Sequence, residues 1–321
     1  MSVQPTLVTA YDQPHQFEPL LPARQLDELA RQSRPVIEAS LRLQTAAHAS
    51  ALGELRRLVR AMNSYYSNRI EGQSTHPVHI AQALKADFSR QPDIARRQRL
   101  ALAHIQAEQA LEARITDEVQ ALHSSSLVLA HQTLYEQLSA EDRHTEEGRE
   151  VEPGQLRTQD VAGYRHQPPA HASVPSFLAR ADERYAKAWG LDQLFVVAAC
   201  AHHRLAWVHP FLDGNGRACR LYTHGVLKGI TASLWSVNRG LARHRDEYYK
   251  HLSEADMPRH GDLDGRGNLS ERMLIAWCEF IISTCRDQVD FMTRMLDLDD
   301  LKARLAALIT IRSHQQGKAD Y

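Results

Sequence analysis

His209-Pro210-Phe211-Leu212-Asp213-Gly214-Asn215-Gly216-Arg217-Ala218-Cys219-Arg220 lies between two stretches with helical periodicity, residues 191–207 and 217–227. It therefore reads as a tight loop feeding a helix N-terminus. His209 precedes a proline, which disfavours the α region and helps to end the upstream helix there. An imidazole at such a loop entrance suits a general base near neutral pH. Asp213 supplies a hard oxygen ligand of the kind Mg²⁺ takes together with substrate phosphates. Gly214 and Gly216 leave their backbone N–H groups open to an anion, and the amides opening the next helix add the positive end of its dipole. Arg217 and Arg220 are three apart, on one helix face, and both can fork onto phosphate oxygens. Within twelve residues the chain thus sets out a base, a metal ligand, an amide cradle and two guanidiniums, a set suited to phosphoryl-type chemistry on a nucleotide.

Outward from this loop, helix signals dominate. Residues 25–62 carry apolar positions at spacings of three and four (Leu41, Leu52, Leu55, Leu58, Val59, Met62), with Pro35 expected to interrupt them and open a new helix. Further helices are predicted over 94–113, 124–138, 191–207, 217–227, 243–254 and 270–295, and residues 287–308 read as an amphipathic helix before a polar end. Residues 147–175 hold Gly148, Pro153, Gly154, Gly163, Pro168, Pro169 and Pro175, punctuation that breaks helices. One arm of a short hairpin is expected at 161–166, and a glycine-rich loop at 258–268. The fold class is all-α with a minor β-hairpin. Three parts are expected: an N-terminal helical region over 1–115, a core over 116–285, and a C-terminal helix with a polar tail over 286–321.

Composition excludes several classes. The chain has 321 residues, 43% hydrophobic and 24% charged, with a net charge of −1, so nothing global suggests nucleic-acid binding or a membrane surface. The basic strip Arg96-Arg97-Gln98-Arg99 reads as a solvated helix face. The first twenty residues lack a basic start and an apolar run, and the stretch 194–201 is too short to span a bilayer. Four cysteines make no disulfide framework: Cys278 and Cys285 sit ~10 Å apart along a helix. Reduced thiols in a cytoplasmic protein are expected. No Walker-type loop is present, Cys219 stands where a dinucleotide fingerprint wants glycine, and no zinc pairing occurs. His202 and His203 point in different directions on a helix, so shared metal binding is not expected, and the remaining histidines are expected to be surface or core residues. Cys219 is expected to pack, and Tyr248 and Tyr249 to pack or to wall the nucleotide pocket.

The run 209–220 matches every fixed position of His-Pro-Phe-x-Asp/Glu-Gly-Asn-Gly-Arg-x-x-Arg, and on it the chain resembles the Fic family. The resemblance covers roughly residues 67–282. It implies a small helical core that transfers AMP from MgATP to a Ser, Thr or Tyr hydroxyl of a target protein. By position, His209 would deprotonate that hydroxyl and Asp213 would hold Mg²⁺. Gly214, Asn215 and Gly216 would form the anion hole, Arg217 would hold the phosphates, Arg220 would reach the γ-phosphate, and Phe211 would be buried as an anchor. Residues 154–175 resemble the family's flap, with Gly163-Tyr164-Arg165 docking an extended target segment by strand addition. Self-association as a homodimer is also implied.

Upstream, Ser67-Asn68-Arg69-Ile70-Glu71-Gly72 resembles the family's inhibitory motif, Ser/Thr-x-x-x-Glu-Gly/Asn. It implies that Glu71 pairs with Arg220, in a bidentate fashion, and holds ATP in an unproductive pose. The bland alternative is a helix-end glutamate followed by a glycine cap. Other readings keep the fold and change the outcome: removal of AMP from a modified protein, transfer of another phosphate-containing group, or a dormant regulatory module.

Overall fold

Leu29, Ser33, Val36, Ile37, Ser40 and Leu43 fall on one side of the helix Leu26–Ala46 (α1) at the helical period, and that side is buried. The computed structural model describes residues 11–46, 51–145, 147–161 and 167–296. Eleven further α-helices follow in them: α2 (Leu52–Ile70), α3 (Pro77–Ala83), α4 (Pro92–Arg114), α5 (Glu118–Leu122), α6 (Ser124–Glu136), α7 (Val174–Tyr185), α8 (Leu191–Val208), α9 (Asn215–Thr231), α10 (Asn238–Arg243), α11 (Arg245–Ala255) and α12 (Glu271–Leu296). The all-α class expected from the sequence is the one observed. Among the described residues no strand pair occurs; two isolated antiparallel bridges join His144 to Glu150 and Pro258 to Leu269.

Helix α8 is the central rod. Every residue from Leu194 to Leu205 is buried, a helix apolar nearly all round, and α1, α7, α9 and α12 pack about it. Its C-terminus therefore ends inside the molecule, and six residues, 209–214, separate it from α9. The candidate loop hangs between two helix ends that the core holds still.

Two prolines behave differently from expectation. Pro35 lies inside α1 without ending it; it is exposed, so the carbonyl that loses its intrahelical donor faces solvent. Pro175 opens α7 from its first turn, where its missing N–H has no partner to lose. The basic strip on α4 is only partly solvated: Gln98 is fully buried, and Arg99 forks onto Asp142 at 2.5 and 3.1 Å. All four cysteines are free and buried. No helix among the described residues is long and apolar enough to cross a membrane.

A buried polar seam joins α2, α4 and α9. Glu108 accepts from Asn63 Nδ2 at 3.1 Å on both oxygens, and His224 Nε2 lies 3.4 Å from Glu108 and 3.0 Å from Glu112. Arg60 and Ser233 also donate to Glu112. Burial raises the Glu108 carboxyl, whereas the donors on Glu112 outweigh its burial and hold it down at about 2. Burial disfavours charge on His224, but Glu108 and Glu112 together raise it above the ordinary value. These three side chains are the only metal-type donor group among the described residues. Each of their four carboxylate oxygens already has a protein donor, so the cluster neutralises itself.

Candidate active site

The loop begins with strain. His209 ends α8 in the left-handed region, φ 50° and ψ 60°. Its carbonyl accepts from Arg157 Nε at 2.8 Å, and the Arg157 backbone N–H donates to the Pro210 carbonyl at 2.8 Å. The rest of the Arg157 guanidinium, which is buried, donates to the carbonyls of Gln159 and Pro169. Next, Phe211 and Asn215 exchange bonds: the Phe211 N–H donates to Asn215 Oδ1, and Asn215 Nδ2 donates back to the Phe211 carbonyl, each at 2.9 Å. The Asn215 side chain thus closes the loop on itself and leaves the helix-opening amides to face an anion. Phe211 is fully buried, as expected, and stacks on His131 at 3.9 Å.

Gly214 is needed where it stands, and Gly216 lies close against two side-chain ends. At Gly214, φ is +76° and a Cβ would lie 2.5 Å from the Tyr135 ring. At Gly216 a Cβ would lie 2.5 Å from Glu71 Oε1 and 3.1 Å from Arg220. Asp213 Oδ2 accepts from the Tyr135 hydroxyl at 2.8 Å and from Arg217 at 3.3 Å. Burial pushes the Asp213 carboxyl up, but Arg217, the Tyr135 hydroxyl and the Gly214 N–H more than offset this and hold it below the usual range.

Two hollows flank the loop. One, of about 430 Å³, is lined by Glu71, His209, Gly216, Arg220, Tyr248 and Asp256 among others. A second, of about 830 Å³, is lined by Tyr135, Asp213, Arg217, Arg96, Glu141 and Asp160 among others. Arg217 and Arg220 share a helix face by spacing, yet they wall different hollows, and Arg217 Nε is buried with no hydrogen-bond partner. His202 and His203 are buried core residues: His202 bonds Thr223 at 2.7 Å and Tyr248 at 3.1 Å, and His203 bonds the Leu252 carbonyl at 3.0 Å. Cys219 is fully buried.

The upstream motif meets this site. Helix α2 ends in a Schellman arrangement: Gln73 N–H bonds the Asn68 carbonyl, Gly72 N–H bonds the Arg69 carbonyl, and Gly72 has φ +74°. Gly72 as a cap and Glu71 as a partner of Arg220 are therefore both observed. Glu71 Oε1 lies 2.5 Å from Arg220 Nη2, while Arg220 Nε donates to Ser67 Oγ at 3.0 Å and Nη2 to the Ser67 carbonyl at 3.1 Å. The expected bidentate fork is replaced by three contacts, because Ser67, one helical turn before Glu71, takes the rest of the guanidinium edge. Burial weakens the charge on Arg220, but Glu71 outweighs it, and the guanidinium is held above its ordinary value.

His131, Tyr135 and Arg157 were not singled out by the sequence. His131 and Tyr135 are four apart on α6, so a polar pair on one face of an otherwise apolar helix was the available signal. Arg157 sits in an irregular segment, where periodicity has nothing to say. Gly163, Tyr164 and Arg165 lie outside the described residues.

Residues 116–227 match the Fic/DOC family. A protein adenylyltransferase Fic from Nematostella vectensis is 32% identical over 116 residues, 35% of this chain and 25% of that protein. One from Culex quinquefasciatus is 30% identical over 112 residues, 33% of this chain and 21% of that protein. The chain spans a quarter or less of the length of these curated relatives. Among solved structures, Fic-1 of C. elegans superposes with a TM-score of 0.64 at 18% identity, covering 86% of this chain and 76% of that one. A Fic family protein from Desulfovibrio desulfuricans G20 gives 0.62 at 20% identity, covering 89% and 77%. At these identities the two structures share this chain's fold.

Proposed function

The chain belongs to the Fic/DOC family through its residues 116–227, and on that premise we propose that it is a protein adenylyltransferase restrained by Glu71. The relatives named protein adenylyltransferases support a transferase using ATP and a protein acceptor. In this reading His209 takes the proton from a Ser, Thr or Tyr hydroxyl of the target. The freed oxygen attacks the α-phosphorus of ATP in line, the new O–P bond forms as the bond to pyrophosphate breaks, and pyrophosphate leaves. The amides opening α9 cradle the phosphates, and Arg217 and Arg220 hold their charge.

Asp213 is the residue that would hold Mg²⁺. Its carboxyl is held in the ionised form and its side chain is 43% exposed, which fits an ion that takes one or two carboxylates and fills its shell with water and phosphate oxygens. A bound Mg²⁺ would neutralise phosphate charge. Tyr135 and Arg217 orient the carboxylate by bonding its Oδ2.

One observation carries the restraint: the Glu71 carboxylate lines the same hollow as His209 and Gly216 and bonds the guanidinium that the γ-phosphate would need. Replacing Glu71 by glycine is expected to raise AMP transfer from labelled ATP to protein at least ~10-fold, and His209→Ala in that background to lower it by ~10³-fold or more. Unchanged labelling on Glu71→Gly would sink the restraint. A second reading has an observation in its favour, since Glu71 is 30% exposed towards the hollow and can orient a water for AMP removal. There, Glu71→Gly abolishes activity instead of raising it.

A further inference from the structure

The motif loop is gripped from behind by two residues that no motif contains. His131 Nδ1 accepts from the Gly154 N–H at 2.9 Å, so the ring's proton sits on Nε2, which faces the Asp213 carbonyl at 3.1 Å. The ring is sandwiched, stacked on Phe211 at 3.9 Å and on Tyr135 at 4.4 Å. Three residues after Gly154, Arg157 grips the other end of the loop through the carbonyls of His209 and Pro210. The short segment 154–157 is therefore tied at one end, through His131, to the backbone of Asp213 and at the other directly to the backbone of His209.

We propose that His131 and Arg157 are positioning residues: a two-jawed clamp that sets Asp213 and His209 in register with each other and with the segment leading into 158–161. The proposal rests on the adenylyltransferase reading for its activity arm only. Neither side chain touches the reacting atoms; each acts through a backbone carbonyl of a residue that does. Only a neutral imidazole can accept from Gly154 while donating to Asp213. Arg157 spans the carbonyls of His209, Gln159 and Pro169 with one planar fork, which a lysine cannot do.

The test uses the full chain carrying Glu71→Gly as parent. His131→Leu is expected to lower kcat by ~10- to 100-fold, the loss that a small misplacement of reacting groups produces, with KM for ATP changing less than ~3-fold. His131→Gln keeps a donor at the Nε2 position and should recover part of kcat. His131→Asn keeps only the acceptor near Nδ1 and should remain as low as leucine. Arg157→Lys should lower kcat to a similar degree. A kcat within twofold of the parent for both His131→Leu and Arg157→Lys, or glutamine and asparagine behaving alike, overturns the clamp. An independent arm needs no activity: ¹⁵N NMR of the histidine rings at pH 7 should show His131 as the Nε2–H tautomer, with Nδ1 accepting. The Nδ1–H tautomer overturns the proposal. If the parent transfers no AMP, the adenylyltransferase reading fails and the NMR arm alone decides the clamp.

Discussion

Two buried polar regions meet at Arg220 and are built differently. Behind the motif loop, His131, Tyr135 and Asn215 each have partners at both ends of their chemistry, and the rings stack. Along the inner face of α4, in the seam that holds α2, both ring nitrogens of His104 are buried without a partner, as are Asn68 Oδ1 and Arg60 Nε. A buried polar atom without a partner costs about 1–3 kcal/mol. Apart from Arg217 Nε, which is buried without a partner, the contacts behind the loop are satisfied, while α2, which carries Ser67 and Glu71, is seated on a surface that leaves several polar groups unmatched.

Acid should strain both regions most. Burial lowers His104 and His202 to about 3 and His131 to about 4. Between these values and 6.5, the unfolded chain binds a proton on each ring and the native chain does not, so stability falls as pH falls through that window. At about 1.4 kcal/mol per pKa unit, each ring contributes on the order of 3 kcal/mol. Urea unfolding at pH 7 and pH 4.5 measures it, and a flat profile would break the picture of neutral buried rings. Mutation then separates the regions by sign. His131→Leu strands the Gly154 N–H and the Asp213 carbonyl and should cost ~2–4 kcal/mol. Gly214→Ala must place a methyl at positive φ against Tyr135, costing ~2 kcal/mol by the same urea assay. His104→Leu removes no hydrogen bond and should be neutral or stabilising by up to ~1 kcal/mol. A large loss at His104 would mean that the seam is satisfied after all.

Much of the site could be read because its chemistry is local. The twelve residues from His209 to Arg220 place an imidazole, a carboxylate, amides and two guanidiniums on one turn, although His209 and Arg220 line one hollow and Asp213 and Arg217 the other. Ser67 and Glu71, four apart, lie on one helix face, and both bond Arg220. His131, Tyr135 and Arg157 could not be read this way. The partners that tie them to the loop lie 23 to 82 residues along the chain, and only tertiary packing, of α6 against α9 and of segment 154–157 against the loop, decides them. Pro35 and Pro175 misled for a related reason: what a proline does to a helix depends on whether its orphaned carbonyl meets water and on which turn it occupies. Helix α5, five residues long, is too short for any periodicity to register.

The backbone of His209 carries one more consequence. An L-residue with a side chain sits at φ 50° at roughly 1 kcal/mol above what glycine would need there. Selection for a tougher fold alone would therefore erase the imidazole; under the proposed transfer, that cost is what places a proton acceptor at the end of a helix buried from Leu194 to Leu205.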